Sequence, residues 1–315
     1  MSPGPLAIGM RGVALVIVLW MLALLTVIAG SLTFSTRAEL LIAGNLASTV
    51  KAEAAADAGV HKAIYELVTR PSSDPLRWKA DGALHQWQFG EASVLIRIID
   101  ESARFDINAN QEALLHSLFL SLGVSETESQ ALVDAILDWR DGDDFRRLHG
   151  AEREDYLAAG LTYGPANANF ESIEEVRQVL GITHELFAKL APLITVDSNR
   201  PGINASLASR QALLALPGVI PEMVDAYLQQ RRDATILGQP SPAFVGAQGL
   251  DTNAPSSAIT IQAIAVLGDN TAFSREAVVR LADRGVGTHT FLAWRAPANE
   301  MLRLEFADSV PFQSQ

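Results

Sequence analysis

The feature that most constrains this chain is an uncharged apolar stretch near its N-terminus, VALVIVLWMLALLTVIAGSLTFST at residues 13–36. As a helix rising 1.5 Å per residue it would span about 36 Å, enough to cross the ~30 Å hydrocarbon core of a bilayer. The stretch is longer than the apolar region of a cleaved signal peptide, and no A-x-A site directly follows it. It therefore predicts one membrane-spanning helix, and Arg11 before it favours a cytoplasmic N-terminus.

The helical pattern continues beyond the membrane-spanning stretch. Apolar residues recur at three- and four-residue steps until a Pro-Ser-Ser sequence ends the pattern. The recurring positions are Leu46, Val50, Ala54, Val60, Ile64 and Leu67. The other face carries Lys51, Lys62 and Glu66. We therefore expect one long helix whose second half, residues 37–70, lays an apolar face on a folded domain.

Composition and motifs exclude several classes of function. The formal net charge is −12, and the chain has no cysteine. Nucleic-acid affinity comes largely from Lys and Arg on phosphates, so no nucleic-acid partner is expected. Without cysteine there is no disulfide, thiolate metal site or cysteine nucleophile. No G-x-S-x-G, H-E-x-x-H or P-loop sequence occurs, so we predict no catalytic residues and no enzymatic activity.

The residues after the long helix predict an α+β fold. Strand patterns occur on both sides of a helical block: Trp87–Phe89, Ala92–Ile99, Arg104–Asn108, Ala258–Leu267, Ala277–Leu281 and Thr290–Arg295. This order predicts a long N-terminal helix packed on an antiparallel sheet, with a large inserted all-α domain. The alternative is two sequential domains in which the late strands form a sheet of their own.

The helical block contains weak internal similarity. Three segments each read as helix, glycine-containing turn and helix, with the clearest helices at Ser129–Trp139 and Pro221–Arg231. The sequence LPGV at 216–219, with its flanking helices, also resembles a helix-hairpin-helix. With Arg210, Arg231 and Arg232 nearby, it suggests an alternative function: a membrane-tethered periplasmic binding protein, for example in DNA uptake. The acidic charge of the chain favours instead an apolar hairpin used for packing or subunit contact.

The segment most suggestive of chemistry is an acidic run after the predicted helix Ser129–Trp139. Four carboxylates fall within seven residues, and two more follow a Gly-Ala pair. They are Asp138, Asp141, Asp143, Asp144, Glu152 and Glu154. Carboxylates this close repel one another unless water, ion pairs or a cation offset the charge. Hard oxygen ligands without histidine or cysteine favour Ca²⁺ or Mg²⁺ over zinc.

The spacing of the acidic run leaves alternatives open. Asp141, Asp143 and Glu152 match positions one, three and twelve of an EF-hand loop. Phe145 and Arg146 occupy positions five and six, where that loop needs Asp or Asn and then Gly, so the segment is not a true EF-hand. A solvated loop with internal ion pairs is the other interpretation, with Arg146, Arg147 and His149 neutralising the carboxylates.

A family resemblance joins these features. Arg-Gly before the apolar helix resembles a type IV prepilin leader, and AEAAADAGVHKAIYEL at Ala52–Leu67 resembles the second half of a pilin helix. The resemblance implies that a prepilin peptidase cuts after Gly12 and that Val13 becomes a methylated N-terminus. Pilins carry Glu at the fifth mature position, where this chain has Ile17. The protein K family of type II secretion minor pseudopilins resembles this chain in that departure.

The same family carries a similar D-W-x-D-x-D run and a following G-A-E, and its helical domain binds calcium. The resemblance therefore implies structural calcium at Asp138, Asp141, Asp143 and Glu152, with Asp144 and Glu154 as companions. Asn167 and Asn169 could add further oxygens.

The resemblance also implies a function. A K-type minor pseudopilin would lie at the pseudopilus tip and initiate assembly with the I- and J-type pseudopilins for protein export across the outer membrane. It would span the inner membrane once with a periplasmic C-terminal domain, and could contact secreted substrates or the outer-membrane channel.

The expected segments are the leader at 1–12, the membrane half of the helix at 13–36, its periplasmic half at 37–70, the sheet domain at 71–107 and 257–315, the helical insertion at 108–200, and a second hairpin and loop at 201–256.

Overall fold

The computed structural model describes residues 11–71, 74, 76–109, 112–246, 255–282 and 289–297, with the backbone alone at 11–14 and 38. The helices are α1 (Arg11–Thr69), α2 (Glu112–Ser121), α3 (Glu126–Arg140), α4 (Arg153–Ala158), α5 (His184–Leu190), α6 (Arg210–Leu214) and α7 (Pro221–Ile236). Short 3₁₀ turns occupy Glu101–Ala103, Ile173–Gln178 and Ala191–Leu193. The strands are β1 (Asp81–Phe89), β2 (Ala92–Asp100), β3 (Phe105–Asp106), β4 (Ile194–Thr195), β5 (Ala258–Val266), β6 (Ala272–Leu281) and β7 (His289–Arg295).

One antiparallel sheet joins the two ends of the folded region. Its strand order is β1-β2-β5-β6-β7, so β2 pairs directly with β5 although the helices lie between them in sequence. Ile98 faces Ile261 in this register. The predicted α+β class, with a helical domain inserted in a sheet, is confirmed. The alternative of a separate late sheet is wrong, because the late strands complete the early ones.

Helix α1 packs on one face of this sheet through very small side chains. Its buried glycine and apolar positions are Ala52, Ala55, Ala56, Gly59, Val60, Ala63, Ile64 and Leu67. A Cβ on Gly59 would lie 2.8 Å from Val94 Cγ1 and 3.1 Å from Ala263 Cβ, so the helix and the sheet approach closely at this point. The sheet supplies branched partners such as Ile96 and Ile261, and together these residues form one apolar core.

The predicted apolar face of α1 is partly wrong. Val60, Ile64 and Leu67 are buried as expected, but Leu46, Val50 and Ala54 are exposed. Periodicity identified the helix, but it could not locate the point where the helix leaves the sheet. That point is near Ala52, and the apolar residues before it project beyond the domain.

Charged residues border the contact between α1 and the sheet. Arg275 of β6 binds two acids of α1, with its Nη2 2.8 Å from Glu53 and its Nε 2.5 Å from Asp57. Glu66, expected on the solvent face, is buried, and it pairs with Lys62 at 2.6 Å and also with Arg70. The two basic neighbours hold the pKa of Glu66 below its usual value against the opposing effect of burial.

The inserted helices form a second core of their own. Its large side chains include Phe119, Ile136, Trp139, Tyr156 and Ile203, so both predicted helical segments contribute to one core. The hairpins α2–α3 and α6–α7 turn at Gly123 and Gly218, whose φ angles of 85° and 73° favour glycine. The internal similarity predicted helices here, and these helices are confirmed.

A small parallel pair, β3 with β4, contributes Phe105 and Ile194 to the helical core. Asp106 of β3 accepts hydrogen bonds from Ser198 Oγ at 3.1 Å and from the Asn199 amide at 2.7 Å. The predicted strand Arg104–Asn108 is therefore real but short, and it pairs outside the main sheet. Burial raises the pKa of Asp106 despite these donors.

Candidate cation site

The predicted acidic residues gather where α3 ends and α4 begins. Helix α3 starts with a capping box between Ser125 and Glu128, which accounts for its N-terminal boundary, and Asp141 forms its C-cap. An exposed loop then returns the chain to Glu152, the N-cap of α4. The loop therefore brings Asp141, at the end of α3, back towards Glu152, at the start of α4.

Aromatic packing fixes this arrangement. Trp139, the tryptophan of the acidic run, is buried and stacks on Phe170 with ring centroids 6.0 Å apart. It also contacts Tyr156 of α4 at 5.9 Å and donates from Nε1 to Glu175 at 3.1 Å. These contacts hold α4 against α3, and so they set the position of Glu152 relative to Asp138.

Asp138 organises the loop from the end of α3. Its carboxylate is fully buried and accepts the backbone amide of Arg147 at 3.2 and 3.3 Å, while its pKa also reflects a hydrogen bond from the Ala151 amide. Gly150 passes so close that a Cβ on it would overlap this carboxylate. Burial raises the pKa of Asp138 to about 6, aided by the charge of Asp141 and opposed by the backbone donors and the Arg147 charge.

The basic residues of the loop pair with part of the acidic set. Arg147 lies 3.4 Å from Asp138 and 3.7 Å from Asp141, and Arg146 binds Asp155 at 3.0 Å. Arg147 therefore pairs with two of the predicted carboxylates, whereas Arg146 pairs with an acid outside that set. His149 contributes differently, because its backbone amide donates to Asp134 at 3.0 Å.

Several buried oxygens are left over after these pairs are made. Asp141 Oδ1, both Glu152 carboxylate oxygens and Asn167 Oδ1 are buried, and the described part of the chain offers none of them a hydrogen-bond partner. Such a buried oxygen costs free energy comparable to a lost hydrogen bond, and more when it is charged. A cation would satisfy these unpaired oxygens of Asp141, Glu152 and Asn167.

The electrostatic environment of Glu152 also favours a cation beside its carboxylate. Burial raises the pKa of Glu152 to about 7, and the negative charges of four aspartates add to the rise: Asp138, Asp141, Asp144 and Asp143. Burial, together with the Asp143 charge, also raises the pKa of Asp141. A divalent cation at this point would remove the repulsion that these shifts report.

The remaining predicted ligands lie at the edge of the group. Asp143 is exposed and accepts the Phe145 amide at 2.9 Å, while Asp144 accepts from Asn167 Nδ2 at 3.2 Å. Glu154 is exposed on α4, where it lines an open cleft of about 610 Å³ with Asp144 and Glu152. Asn169 is exposed and lies outside the group.

The donor set suits a hard cation, although its side chains are spread more widely than a closed coordination shell. Among the described residues, no three histidine or acidic side chains are close enough to ligate an ion as they stand. Carboxylate and amide oxygens are nevertheless the ligands that Ca²⁺ prefers, and its coordination is flexible. The residues present therefore fit the implied ion, with Asp141, Glu152 and Asn167 best placed to hold it.

The predicted processing and tip residues lie at the start of α1. Gly12 and Val13 belong to the helix, where the structure describes their backbone alone, and residues 1–10 of the leader lie outside the described chain. Ile17 is 53% exposed on the helix surface. Helix α1 is long and apolar enough to cross a membrane, and its most apolar window is not buried by the rest of the molecule.

Arginines of the second hairpin bind groups within the domain. Arg231 is turned inward, donating to the Ala205 carbonyl at 3.0 Å and the Ala208 carbonyl at 2.8 Å. Arg210 forms a two-point pair with Asp225 at 2.7 and 3.0 Å. Two of the three arginines behind the DNA-binding alternative thus have partners within the chain.

Comparison with known proteins bears directly on the helical insertion. Residues 96–199, which include the whole acidic loop, match the family model described as type II secretion system (T2SS), protein K. The predicted resemblance to the protein K family is confirmed. The chain is 27% identical over 249 residues to the type II secretion system protein K of Pectobacterium carotovorum subsp. carotovorum, covering 70% of this chain and 75% of that protein. Over 242 residues it is 26% identical to that of Pseudomonas aeruginosa, covering 69% and 72%.

A solved structure has the same fold. The crystal structure of the GspK-GspI-GspJ complex from the enterotoxigenic Escherichia coli type 2 secretion system contains a chain that superposes with a TM-score of 0.56. The match covers 84% of this chain and 99% of that one at 17% identity. The overall fold is therefore similar to that of a chain in a solved type II secretion complex.

Two features of the site could not be found from the acidic spacing alone. Gly150 leaves room for the Asp138 carboxylate, and its sequence signal is the G-A-E that follows the acidic run rather than the carboxylate spacing. Asn167 lies twenty-three residues after Asp144 in sequence, and only the folded structure brings the two side chains together. Its φ of 51° places it in the left-handed region that Asn tolerates better than most residues.

Proposed function

We propose that this chain is a minor pseudopilin of the type II secretion system that lies at the tip of the pseudopilus and initiates its assembly. One observation carries the proposal: a single 59-residue helix, α1, is exposed and apolar in its first half and packs on a sheet in its second half. Such a helix can anchor the chain in the inner membrane before assembly and pack among other subunits afterwards.

The tip position is supported by residue 17. In pilins a Glu at the corresponding position is thought to meet the free N-terminus of a neighbouring subunit, a contact that stabilises a costly charge in lipid. Ile17 offers only an apolar surface and cannot pair with the N-terminal amine of a subunit above it. The chain can therefore lie at the end of the fibre. The inserted helical domain adds bulk that an internal position in a close-packed fibre would not accommodate.

The partners follow from the same role. A prepilin peptidase would cut after Gly12, and the I- and J-type pseudopilins would bind the exposed part of α1, in keeping with the GspK-GspI-GspJ complex that shares the fold. The C-terminal domain would lie in the periplasm, where secreted substrates and the outer-membrane channel are also found. Nothing in this role requires catalysis, and we propose a non-enzymatic function.

We further propose that the acidic site binds calcium for structural reasons. Asp141, Glu152 and Asn167 would supply the first oxygens, with Asp143 and Asp144 near enough in the loop to join them. Asp138 would act mainly by holding the loop through the Arg147 amide. Glu154 would be peripheral. The ion would fix a loop that has no disulfide to fix it, and its binding free energy would add to the stability of the domain.

The test of the central proposal is the mass of the mature protein. We expect protein isolated from membranes of its host to begin at Val13, and a Gly12→Arg variant to keep its leader. Gly9→Ala, also in the leader, is the matched control and should be processed normally. A mature chain that starts elsewhere, or that is released without residues 13–36, would contradict the pseudopilin role.

A further inference from the structure

The face of the sheet turned away from α1 holds a small buried cluster. Ile264 of β5 is 2% exposed, and the apolar side chains described around it are Leu84, Leu95 and Val266. Side chains alternate between the two faces of a strand, so these four lie opposite to Ile261 and the other residues that face α1. We call the four residues the second-face cluster.

The cluster itself does not account for the burial of Ile264. Its members stand on one face of one sheet, where side chains shield each other's flanks but leave the outer ends open. Among the described residues, the elements that pack most closely on β5 are β2, β6, α1 and the turn Glu101–Ala103. The two strands lie in the sheet, α1 lies on its other face, and the turn follows Asp100, which pairs with Ile259 at the far end of β5. A further layer must therefore cover Ile264.

A buried polar atom on the same face indicates what that layer provides. Ser274 of β6 lies directly opposite Ile264 in the sheet register and is 1% exposed. Its Oγ is buried, and the described part of the chain gives it no hydrogen-bond partner. Buried hydroxyl groups normally have a partner, so the covering layer should place a polar group, such as a backbone amide or carbonyl, beside Ser274.

The sequence offers a segment that fits this face. Residues 298–315 are the longest stretch outside the described chain, and they follow β7 of the same sheet. Within them, MLRLEF at 301–306 alternates apolar and charged residues, a pattern typical of an extended segment with one apolar side. The next longest stretches after α1, at 247–254 and 283–288, hold one large apolar residue each.

The distances allow this segment to reach the cluster. Arg295 of β7 is level with Gln262 across β6, and the chain there runs towards the row that holds Ile264. Two strand spacings separate β7 from β5 by about 10 Å, and a covering layer lies about 10 Å above a sheet, so the direct path is about 14 Å. Residues 296–300 span about 17 Å when extended, so residue 301 can begin the layer.

We propose that residues 301–306 form a strap across the second face of the sheet, with their three apolar side chains on the second-face cluster and a backbone group bonded to Ser274. The two charged side chains of the strap then point to solvent. Tethering favours this occupant over another molecule, because a segment held close to its site has a high effective concentration. Since the strap is the last part of the domain to be synthesised, the sheet is completed only once the whole chain has been made.

Thiol labelling tests the cover, because the natural chain has no cysteine. Ile264→Cys and Ile261→Cys are matched, since both replace a buried isoleucine of β5 and they lie on opposite faces. In the full chain we expect a maleimide to react slowly with either thiol. The triple variant Leu302→Ser/Leu304→Ser/Phe306→Ser should speed labelling at position 264 by about tenfold or more and leave position 261 unchanged, because it frees only the second face.

The charged residues of the strap supply the control. Arg303→Ser/Glu305→Ser changes the same segment on its other side and should leave labelling at both positions unchanged. Rapid labelling at position 264 with the natural segment would overturn the proposal, since the face would then be open. Equal protection of position 264 with and without the triple variant would also overturn it, since the cover would come from elsewhere.

A disulfide scan locates the segment directly. Leu95→Cys is combined, in the full chain, with one cysteine substitution at a time at positions 302 to 306, and mild oxidation is followed by peptide mass. We expect bonds within one chain from 302, 304 or 306 and about fivefold less from 303 and 305, because a disulfide needs close Cα atoms and facing side chains. Bonds between two chains would assign the segment to a second copy. That result, equal yields at all five positions, or no bond at any of them would overturn the proposal.

Discussion

The two cores of this molecule satisfy their buried charges in different ways. In the sheet core, the acids along α1 find basic partners within the chain, as Glu53 and Asp57 do in Arg275. In the helical domain, Asp141 and Glu152 keep buried oxygens that the rest of the described chain does not satisfy. The acids of α1 thus have basic partners within the chain, whereas the unpaired oxygens of Asp141 and Glu152 would be satisfied by a cation or by water.

The largest expected effect is that of calcium. With free Ca²⁺ about a thousandfold above its dissociation constant, the helical domain should gain about 4 kcal/mol relative to chelated protein. Hydrogen exchange, segment by segment, should show slower exchange in α3 and the acidic loop and little change in β5. Equal protection of both cores by calcium, or no protection of either, would break the contrast between them.

A pair of charge-removing variants sharpens that measurement. Glu152→Gln should lose most of the calcium stabilisation, because it removes a charged ligand with two unpaired oxygens. Glu154→Gln, two residues away but exposed, should keep it. If both variants behave alike, the unpaired oxygens do not mark the ligands.

The second effect is steric and belongs to the helical domain. A Cβ at residue 150 would overlap the Asp138 carboxylate, so Gly150→Ala should destabilise the protein by about 3 kcal/mol. Gly142→Ala, in the same loop, is the control, since the described residues leave open space around it. Chemical denaturation measures both, and a near-neutral Gly150→Ala would show that the loop is looser than the structure indicates.

The third effect is the matching steric change in the sheet unit. Gly59→Ala would place a Cβ 2.8 Å from Val94 and force α1 away from the sheet, at a cost of about 2 kcal/mol. Gly44→Ala lies on the part of α1 beyond the sheet, where no described atom is within 4 Å, and should be neutral or slightly stabilising. Calcium should not rescue Gly59→Ala, because the defect lies in the other core.

The sheet core and the site in the helical domain also differ in how far the sequence predicts them. The sheet core follows from local pattern: an apolar run such as AITIQAIAV predicts a buried strand, and β5 is that strand. The error at Leu46 and Val50 arose because periodicity cannot tell a face covered by a sheet from one that leaves the domain. Lipid or a neighbouring subunit favours the same apolar residues as a core does.

The site was harder to predict because it depends on distant contacts. Spacing identified the carboxylates as a group, since four in seven residues is a local feature. It could not distinguish Asp138, which holds the loop, from Asp141, which keeps an unpaired oxygen. That distinction is set by where the backbone of Arg147 returns, and it requires the folded loop.

The smallest expected effect is the pH dependence of the ion-free protein. Asp138 and Glu152 have folded-state pKa values of about 6 and about 7, above the usual 3.8 and 4.5 that apply when the chain unfolds. At pH values between the unfolded-state and folded-state pKa values, the folded state holds more protons than the unfolded state. The free energy of unfolding must therefore fall as the pH rises. We expect a loss of about 1 kcal/mol from pH 5 to pH 8, because the open cleft beside Glu152 lets water relieve part of the shift.

Calcium should reverse the sign of this dependence. The ion binds the deprotonated carboxylates, so in its presence the helical domain should become more stable as the pH rises from about 5 to about 8. Denaturant titrations at both pH values, with calcium and with chelator, give the four free energies needed. Glu152→Gln should flatten both slopes, and the same slope with and without the ion would mean that Asp138 and Glu152 do not face a cation.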